Sequence, residues 1–275
     1  MTAREPQSRF ADNAGVRLHY IVAGSGPTLL LLHGIPDFSN GWRYQIGALR
    51  EAYRVAAMDL RGCNRSDKPA GTPSYRISEL IGDVVAVIRH LGPDPVTLIG
   101  HDWGAILAWW VAMLHPDLVA RLATLSAPHP ACYLAARDRG ELKYPVTYLA
   151  QIVAAKPGAP FDPELLSAWV PAQPARAELA EALSRSDAEG LRNLYRANLP
   201  ASLQSISALP RVRAPTLILH GARDDFIPPH YYSSSADGAA GLCQVVSVPG
   251  AGHFIHHEAA ERVNAELLQW LEATG

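Results

Sequence analysis

The sequence is poor in cysteine and has no long run of charge of either sign. Its three cysteines, Cys63, Cys132 and Cys243, are odd in number and widely spaced, which argues against a disulfide framework and against a cysteine metal site. We therefore expect reduced thiols. The 24 basic and 26 acidic residues give a formal net charge of −2. Such a balance argues against a nucleic-acid footprint and against a polybasic membrane patch.

A long apolar segment is also lacking. The longest uncharged apolar stretch, AILAWWVAML at 105–114, is too short to span a bilayer, and the opening residues MTAREPQSRF contain no apolar signal region. We expect a cytoplasmic protein without membrane segments, a monomer or homodimer that acts on a small molecule. A chain of 275 residues that is 48% hydrophobic is sufficient for one α/β domain with an insertion.

Apolar, β-branched runs alternate with segments of helical periodicity along most of the chain. Parallel strands need crossover connections, so this alternation predicts an α/β fold: a mostly parallel twisted sheet flanked by helices, with an antiparallel hairpin at its edge. The predicted strands are VRLHYIVAG, TLLLLHG, RVAAMD, VTLIG, RLATLSAP, PTLILHG and QVVSVPG. The predicted helices are WRYQIGALREA, ISELIGDVVAVIRHL, AILAWWVAML and EAAERVNAELLQWLE.

This alternation stops between about residues 130 and 209, where helical patterns and several prolines occur without a convincing strand. We therefore expect residues 130–209 to form a helical cap, inserted into a core made of residues 1–129 and 210–275. After the alternation resumes, the small and polar segment SSSADGAAG at 233–241 predicts a mobile surface loop.

The segment LIGHDWGAI at 98–106 joins a predicted strand to a predicted helix through a G-x-D-x-G turn. Such a turn places Asp102 at the carboxyl edge of the sheet, where open α/β folds bind ligands. Gly100 and Gly104 fit this interpretation, because neighbouring backbone packs closely around a strained turn and small residues are needed there. The pattern resembles the nucleophile elbow of α/β hydrolases, but aspartate replaces the usual serine.

Two later loops also follow strands and end at this edge. HGARDDFIP offers Asp224 or Asp225, and PGAGHFIHH offers His253. The order nucleophile, acid, histidine is that of α/β hydrolases, which predicts a catalytic triad of Asp102, Asp224 and His253. The four-residue spacing to Pro228 favours Asp224, and Asp225 is the alternative acid. The competing interpretation is a turn or cap aspartate and a hydrogen-bonded structural histidine.

Several further motifs extend the likeness over nearly the whole chain. The sequence resembles the epoxide hydrolase and haloalkane dehalogenase branch of the α/β-hydrolase family, and most closely the epoxide hydrolases. It departs from the branch at Cys63 and Asn64, where an aromatic residue and glycine are commoner, a change expected to affect loop shape more than chemistry. The matching motifs are HGIP at 33–36, DLRGCNRSDKP at 59–69, GHDWG at 100–104, LSAPHP at 125–130, NLYRAN at 193–198 and GAGHF at 250–254.

The resemblance implies an oxyanion hole made by the backbone N–H groups of Ile35 and Trp103. It also implies that Trp103, Pro36 and Phe254 contact the substrate. His33 and His101 are expected to support the backbone rather than transfer protons, and His129, His256 and His257 receive the same interpretation.

Epoxide hydrolases carry two cap tyrosines that hydrogen-bond the epoxide oxygen. The NLYRAN motif implies that Tyr195 is one of them. A capping box formed by Ser186 and Glu189 is expected at the start of the helix that contains Tyr195. For the second tyrosine the segment KYPVTYLAQI offers Tyr148, with Tyr144 as the alternative.

A carboxylate nucleophile limits the chemistry. Asp102 is ionised at neutral pH and forms an ordinary alkyl ester only at a saturated carbon. The resemblance implies opening of an apolar epoxide through an Asp102 ester, which water then hydrolyses to a vicinal diol with His253 as base. No cofactor or metal is expected.

Two alternatives use the same fold. A haloalkane or haloacid dehalogenase would use the same aspartate, but some dehalogenases have asparagine where this chain has Ile35. Trp169 is the single candidate in the cap for a second halide donor, and the helix AILAWWVAML has no arginine to grip a haloacid. A non-catalytic ligand receptor on a hydrolase scaffold is the more distant alternative, and the complete triad argues against it.

Overall fold

A computed structural model describes residues 5–132, 135, 139–140, 154–156, 158–159, 162–170, 173–198 and 209–275. Its centre is an eight-stranded sheet of order β1-β2-β4-β3-β5-β6-β7-β8. β1 and β2 form the antiparallel hairpin at one edge, and the pairs from β4 to β8 are parallel, as predicted. The strands are β1 Gln7–Asn13, β2 Val16–Ala23, β3 Thr28–Leu32, β4 Arg54–Met58, β5 Val96–His101, β6 Val119–Leu125, β7 Thr216–Gly221 and β8 Cys243–Val248.

Helices cover both faces of the sheet. β3 shows why, because Leu30 and Leu32 belong to one apolar cluster while Leu29 and Leu31 belong to another. The first cluster packs against α2 and α3, and the second against α1 and α9. The described helices are α1 Arg43–Leu49, α2 Ile77–Leu91, α3 Trp103–Leu114, α4 Pro163–Ser167, α5 Ala175–Arg185, α6 Ala188–Asn198, α7 His230–Ser233, α8 Ile255–Glu258 and α9 Ala260–Ala273.

Within the described part of residues 130–209, the regular elements are the helices α4, α5 and α6, without a strand. Phe38 of the core lies in one apolar cluster with Val170, Leu179 and Leu183. The core therefore supplies an apolar anchor for these helices. Residues 130–209 remain our proposed cap. None of the described helices is long and apolar enough to cross a membrane.

The prediction of a surface loop at 233–241 is wrong for part of the segment, since Ser235, Gly238 and Ala239 are buried whereas Ser234, Asp237, Ala240 and Gly241 are exposed. Residues 234–238 form a 3₁₀ turn, and Ser235 is fully buried. Its hydroxyl donates to the carbonyl of Tyr231 and accepts from the N–H of His129, at 3.0 and 2.9 Å. Small polar residues gave the segment a loop-like composition, but these contacts bury Ser235.

Candidate active site

The predicted elbow is a tight turn with little room for side chains. β5 ends at His101 and α3 begins at Trp103, two residues before the predicted helix start. Between them Asp102 has φ 50° and ψ −118°, a conformation that non-glycine residues rarely adopt. A Cβ on Gly100 would lie 2.3 Å from the carbonyl oxygen of Gly104, and one on Gly104 would lie 2.1 Å from that of Leu32. Close backbone packing therefore requires both glycines.

The loops after β5, β7 and β8 bring Asp102, Asp224 and His253 together. His253 Nδ1 lies 2.9 Å from Asp224 Oδ2, and His253 Nε2 lies 3.7 Å from Asp102 Oδ2. The side chain of Asp102 is 19% exposed, whereas those of His253 and Asp224 are buried. The histidine can therefore act on a molecule that reaches the aspartate.

The structure distinguishes between the two candidate acids. Asp224 Oδ1 accepts the N–H groups of Phe226 and Ile227 at 2.8 and 2.9 Å, which leaves Oδ2 for His253. This local turn fixes the carboxylate and satisfies its lone pairs. Asp225 is exposed. The spacing in the sequence favoured Asp224, and the hydrogen bonds of this turn agree with that preference.

The environment of His253 favours its protonated form. Burial lowers the pKa of His253, but hydrogen bonds and charge interactions with Asp102 and Asp224 outweigh burial and raise that pKa to about 10. At neutral pH the free protein therefore holds an imidazolium between two carboxylates.

Removing one carboxylate should release that proton more easily. We expect Asp102→Asn to lower the pKa of His253, because the substitution removes a charge and an acceptor while burial remains. Imidazole NMR titration would measure the change. Asp225→Asn is the matched control, since that exposed neighbour should leave the His253 titration unchanged. Equal His253 titration curves in wild type and Asp102→Asn would contradict this explanation.

The predicted oxyanion loop lies against the elbow. The N–H of Ile35 donates to Asp102 Oδ1 at 2.9 Å, and a Cβ on Gly34 would lie 2.4 Å from that of Asp102. Pro36 follows directly and is half-buried. Trp103 begins α3 immediately after Asp102, so its N–H stands at the helix N-terminus. The loop therefore already donates a hydrogen bond to one carboxylate oxygen of Asp102.

His33 and His101 contact backbone atoms, as expected for supporting residues. His33 Nε2 accepts the N–H of Leu60 at 3.0 Å. His101 Nε2 lies 3.0 Å from the carbonyl oxygen of His253. Burial lowers the pKa of His101 well below its usual value, so this imidazole is neutral and donates from Nε2. The two histidines support the loops on either side of the candidate site.

Tyr195 reaches the candidate site from α6. Its ring meets that of Trp103 edge to face, with ring centroids 5.3 Å apart, and the residue is buried. Leu191, one turn earlier, is buried with it. The residue that the motif nominated therefore lies beside the elbow, and its role in the reaction stays a prediction. Tyr144 and Tyr148 lie outside the described residues.

The predicted capping box is wrong by one residue. Asp187, rather than Ser186, accepts the N–H groups at the start of α6, those of Glu189 and Gly190 at 3.0 and 2.9 Å. The hydroxyl of Ser186 instead accepts the N–H of Asn64 at 2.8 Å. The hydroxyl of Ser186 therefore joins the core to the segment that precedes α6.

Asn64, which departs from the family pattern, also forms hydrogen bonds outside its own loop. Asn64 has φ 41°, a region that asparagine tolerates better than most residues. Its Nδ2 donates to Asp59 Oδ2 and its Oδ1 accepts from Arg185 Nε, each at 2.8 Å. A glycine would permit the turn but supply neither bond, so Asn64 links the core to the end of α5.

Two asparagines of NLYRAN fix the helix that carries Tyr195. Asn193 Oδ1 accepts from the hydroxyl of Thr72 at 2.8 Å. Asn198 Oδ1 accepts the N–H of Ile77 at 2.8 Å, and its Nδ2 donates to the carbonyl of Tyr75 at 2.9 Å. Sequence reasoning missed these roles, although the matched motif contained both residues.

We expect Asn198→Ala to lower the free energy of unfolding by about 1–3 kcal/mol, because it leaves buried backbone groups without partners. Chemical denaturation monitored by fluorescence would measure this change. Asn40→Ala is the matched control: Asn40 also joins the core to α5, through Glu178 Oε2 at 2.9 Å, but that contact is only partly buried. Its cost should stay within about 0.5 kcal/mol. Equal losses in both variants would refute the anchoring role.

Phe254 and Trp169, which follows α4, form a second aromatic contact between the core and the proposed cap. Their rings stack with centroids 3.8 Å apart and an interplanar angle of 11°. Trp169 also meets the ring of His257 edge to face at 4.9 Å. This packing holds the Trp169 ring against the core. It also orders Phe254 immediately beside His253.

Comparison with known proteins agrees with this arrangement. A family model described as the alpha/beta hydrolase fold matches residues 27–260. Epoxide hydrolase 4 of Mus musculus is 42% identical over 123 residues, 44% of this chain and 34% of its own length. Epoxide hydrolase 2 of Caenorhabditis elegans is 28% identical over 282 residues, 96% of this chain and 79% of its own.

A solved structure is similar over nearly the full length of both chains. The crystal structure of the Bacillus megaterium epoxide hydrolase in complex with an inhibitor superposes with a TM-score of 0.84 at 27% identity, covering 96% of this chain and 100% of that one. The family model, the strand order and the elbow all indicate the same fold. The chain belongs to the α/β-hydrolase fold family.

Proposed function

We propose that the protein is an epoxide hydrolase that converts an apolar epoxide and water into a vicinal diol. The observation that carries the proposal is the aspartate at the elbow, with His253 behind it and Tyr195 beside it. The relatives named epoxide hydrolase support the same activity. No cofactor or metal takes part in the proposed reaction.

Asp102 performs the first step. Its Oδ1 accepts the N–H of Ile35 at 2.9 Å, so Oδ2 is the oxygen that attacks a ring carbon. The carbon–oxygen bond of the ring breaks, and the electron pair passes to the epoxide oxygen. Tyr195 donates its hydroxyl proton to that oxygen, and the protonated His253 or solvent restores the proton. The product of this step is a hydroxyalkyl ester of Asp102.

His253 performs the second step. Ester formation removes the charge of Asp102, which is one of the causes that raise the pKa of His253, so the imidazole loses its proton more readily. The neutral Nε2 then takes a proton from water, whose oxygen attacks the ester carbonyl. Ile35 and Trp103 stabilise the oxyanion through their N–H groups. Collapse of the intermediate releases the diol, which takes its proton from His253. The Asp102 carboxylic acid that remains passes its proton back to His253, which restores the carboxylate and the imidazolium.

A panel of aliphatic and aryl epoxides, chloro- and bromoalkanes and fluoroacetate tests this proposal. We expect diol formation from epoxides without comparable halide release from the other compounds. Halide release without diol formation would establish a dehalogenase instead. Inactivity on the whole panel would favour a ligand receptor.

A further inference from the structure

A second cluster of polar side chains lies beside the candidate active site and has no part in the proposed reaction. Asp37 stands two residues after Ile35, and His256 and His257 lie in α8, just after His253. Asp37 Oδ2 lies 3.1 Å from His256 Nε2 and 3.4 Å from His257 Nε2. One candidate ligand atom from each of the three residues lies within 4.8 Å of the others. We call these residues the Asp37 cluster.

The geometry of the Asp37 cluster suits a small divalent ion. Zinc binds histidine nitrogen and carboxylate oxygen at about 2.0–2.2 Å, so tetrahedral ligands stand about 3.3–3.5 Å apart. The two oxygen–nitrogen distances come within a few tenths of an ångström of that spacing. Asp37 Oδ1 accepts the N–H of Phe38 at 2.9 Å. This bond orients the carboxylate so that Oδ2 faces the two imidazoles.

The charge of the Asp37 cluster also favours a bound cation. The side chain of Asp37 is 1% exposed, and within the described ranges its side-chain partners are the two histidines, with no lysine or arginine. The buried carboxylate of Asp83, by contrast, pairs with the guanidinium of Arg61 at 2.6 Å. Buried charges are generally paired with opposite charge or coordinate metal ions. A bound cation would give Asp37 the permanent positive partner that Asp83 already has.

We infer that the Asp37 cluster binds a divalent transition-metal ion of the zinc type. Asp37 Oδ2, His256 Nε2 and His257 Nε2 are its protein ligands, and water is the fourth. The ion ties the loop of Ile35 to α8, which follows His253, and so stabilises the two loops without joining the reaction. The competing explanation is a hydrogen-bonded network in which Asp37 accepts from both imidazoles.

Zinc titration of the full-length protein distinguishes these explanations. After removal of metal with a chelator, isothermal titration with Zn²⁺ should show one bound equivalent, and zinc should raise the thermal midpoint. His257→Gln and Asp37→Asn should each weaken zinc binding at least about tenfold, since loss of even an outer-shell partner costs about 10–100-fold. His257 is the ligand residue with the more exposed side chain, 6% against 0% for His256.

Two controls locate the ion. His115→Gln removes a histidine at the far end of α3 and should retain wild-type zinc affinity. His253→Gln alters the candidate active site and should also retain it, which separates the Asp37 cluster from Asp102 and Asp224. Circular dichroism confirms folding, and His257→Gln decides the question if Asp37→Asn does not fold. Absence of zinc binding, equal affinity in His257→Gln, or loss confined to His253→Gln would overturn the inference.

Discussion

His253→Gln is expected to lower the rate of diol formation by about 10²–10⁴-fold, the usual contribution of a general base. Attack by Asp102 needs no base, because an aspartate side chain is ordinarily a carboxylate at neutral pH. Hydrolysis of the ester does need one, and the glutamine cannot accept a proton from water. The ester should therefore accumulate. Intact mass spectrometry should show one epoxide mass added to the protein, and peptide mapping should place the mass on Asp102.

Two variants make this result specific. Asp102→Asn, alone or combined with His253→Gln, should give neither diol nor adduct, because an amide is a poor nucleophile. His115→Gln removes a histidine at the far end of α3 and should retain wild-type turnover. An active wild type whose His253→Gln variant carries no adduct, or carries it on another residue, would contradict the two-step mechanism.

Tyr195→Phe is expected to slow ring opening by about 10²–10³-fold, the effect of removing one donor from a developing oxyanion. The substitution keeps the aromatic contact with Trp103, at 5.3 Å between centroids, and removes only the hydroxyl group. Stopped-flow tryptophan fluorescence offers a readout of ester formation, because Trp103 is adjacent to Asp102. Single-turnover experiments then separate ring opening from ester hydrolysis.

The comparison variant is Tyr44→Phe, which removes a hydroxyl from a tyrosine that is 42% exposed. It should alter neither step. Tyr195→Phe should leave ester hydrolysis nearly unchanged, because that step depends on His253 and the oxyanion loop. If the rate of ring opening falls by less than about threefold, or if only the rate of ester hydrolysis falls, Tyr195 has no place in the proposed mechanism.

Local chemistry explains which features could be predicted. Asp102 and its two flanking glycines lie within five residues, and the strain of a strand-to-helix turn is itself a local property. His253 could be predicted because parallel strands end at one edge of the sheet, whatever the distance between them along the chain. Tyr195 required a family motif, since helical periodicity alone does not distinguish a core tyrosine from one at a site.

Other features depended on contacts between distant segments. Composition made residues 233–241 resemble a surface loop, but Ser235 is buried by bonding the backbone of His129. The capping box failed because Ser186 bonds Asn64, more than a hundred residues away. Each error concerns a short polar side chain, whose choice of partner depends on what the fold brings near it.

The sequence by itself determined the alternation of strands and helices, the aspartate elbow and the order of the three candidate catalytic residues, because short-range periodicity and turn geometry encode them. Only the tertiary structure placed Asp224 Oδ2 against His253, tied the helix of Tyr195 to the core through Asn198, and assembled the Asp37 cluster. The physical reason is that hydrogen bonds and ion pairs require partners within about 3–4 Å. Their formation therefore depends on the packing of segments far apart in the chain.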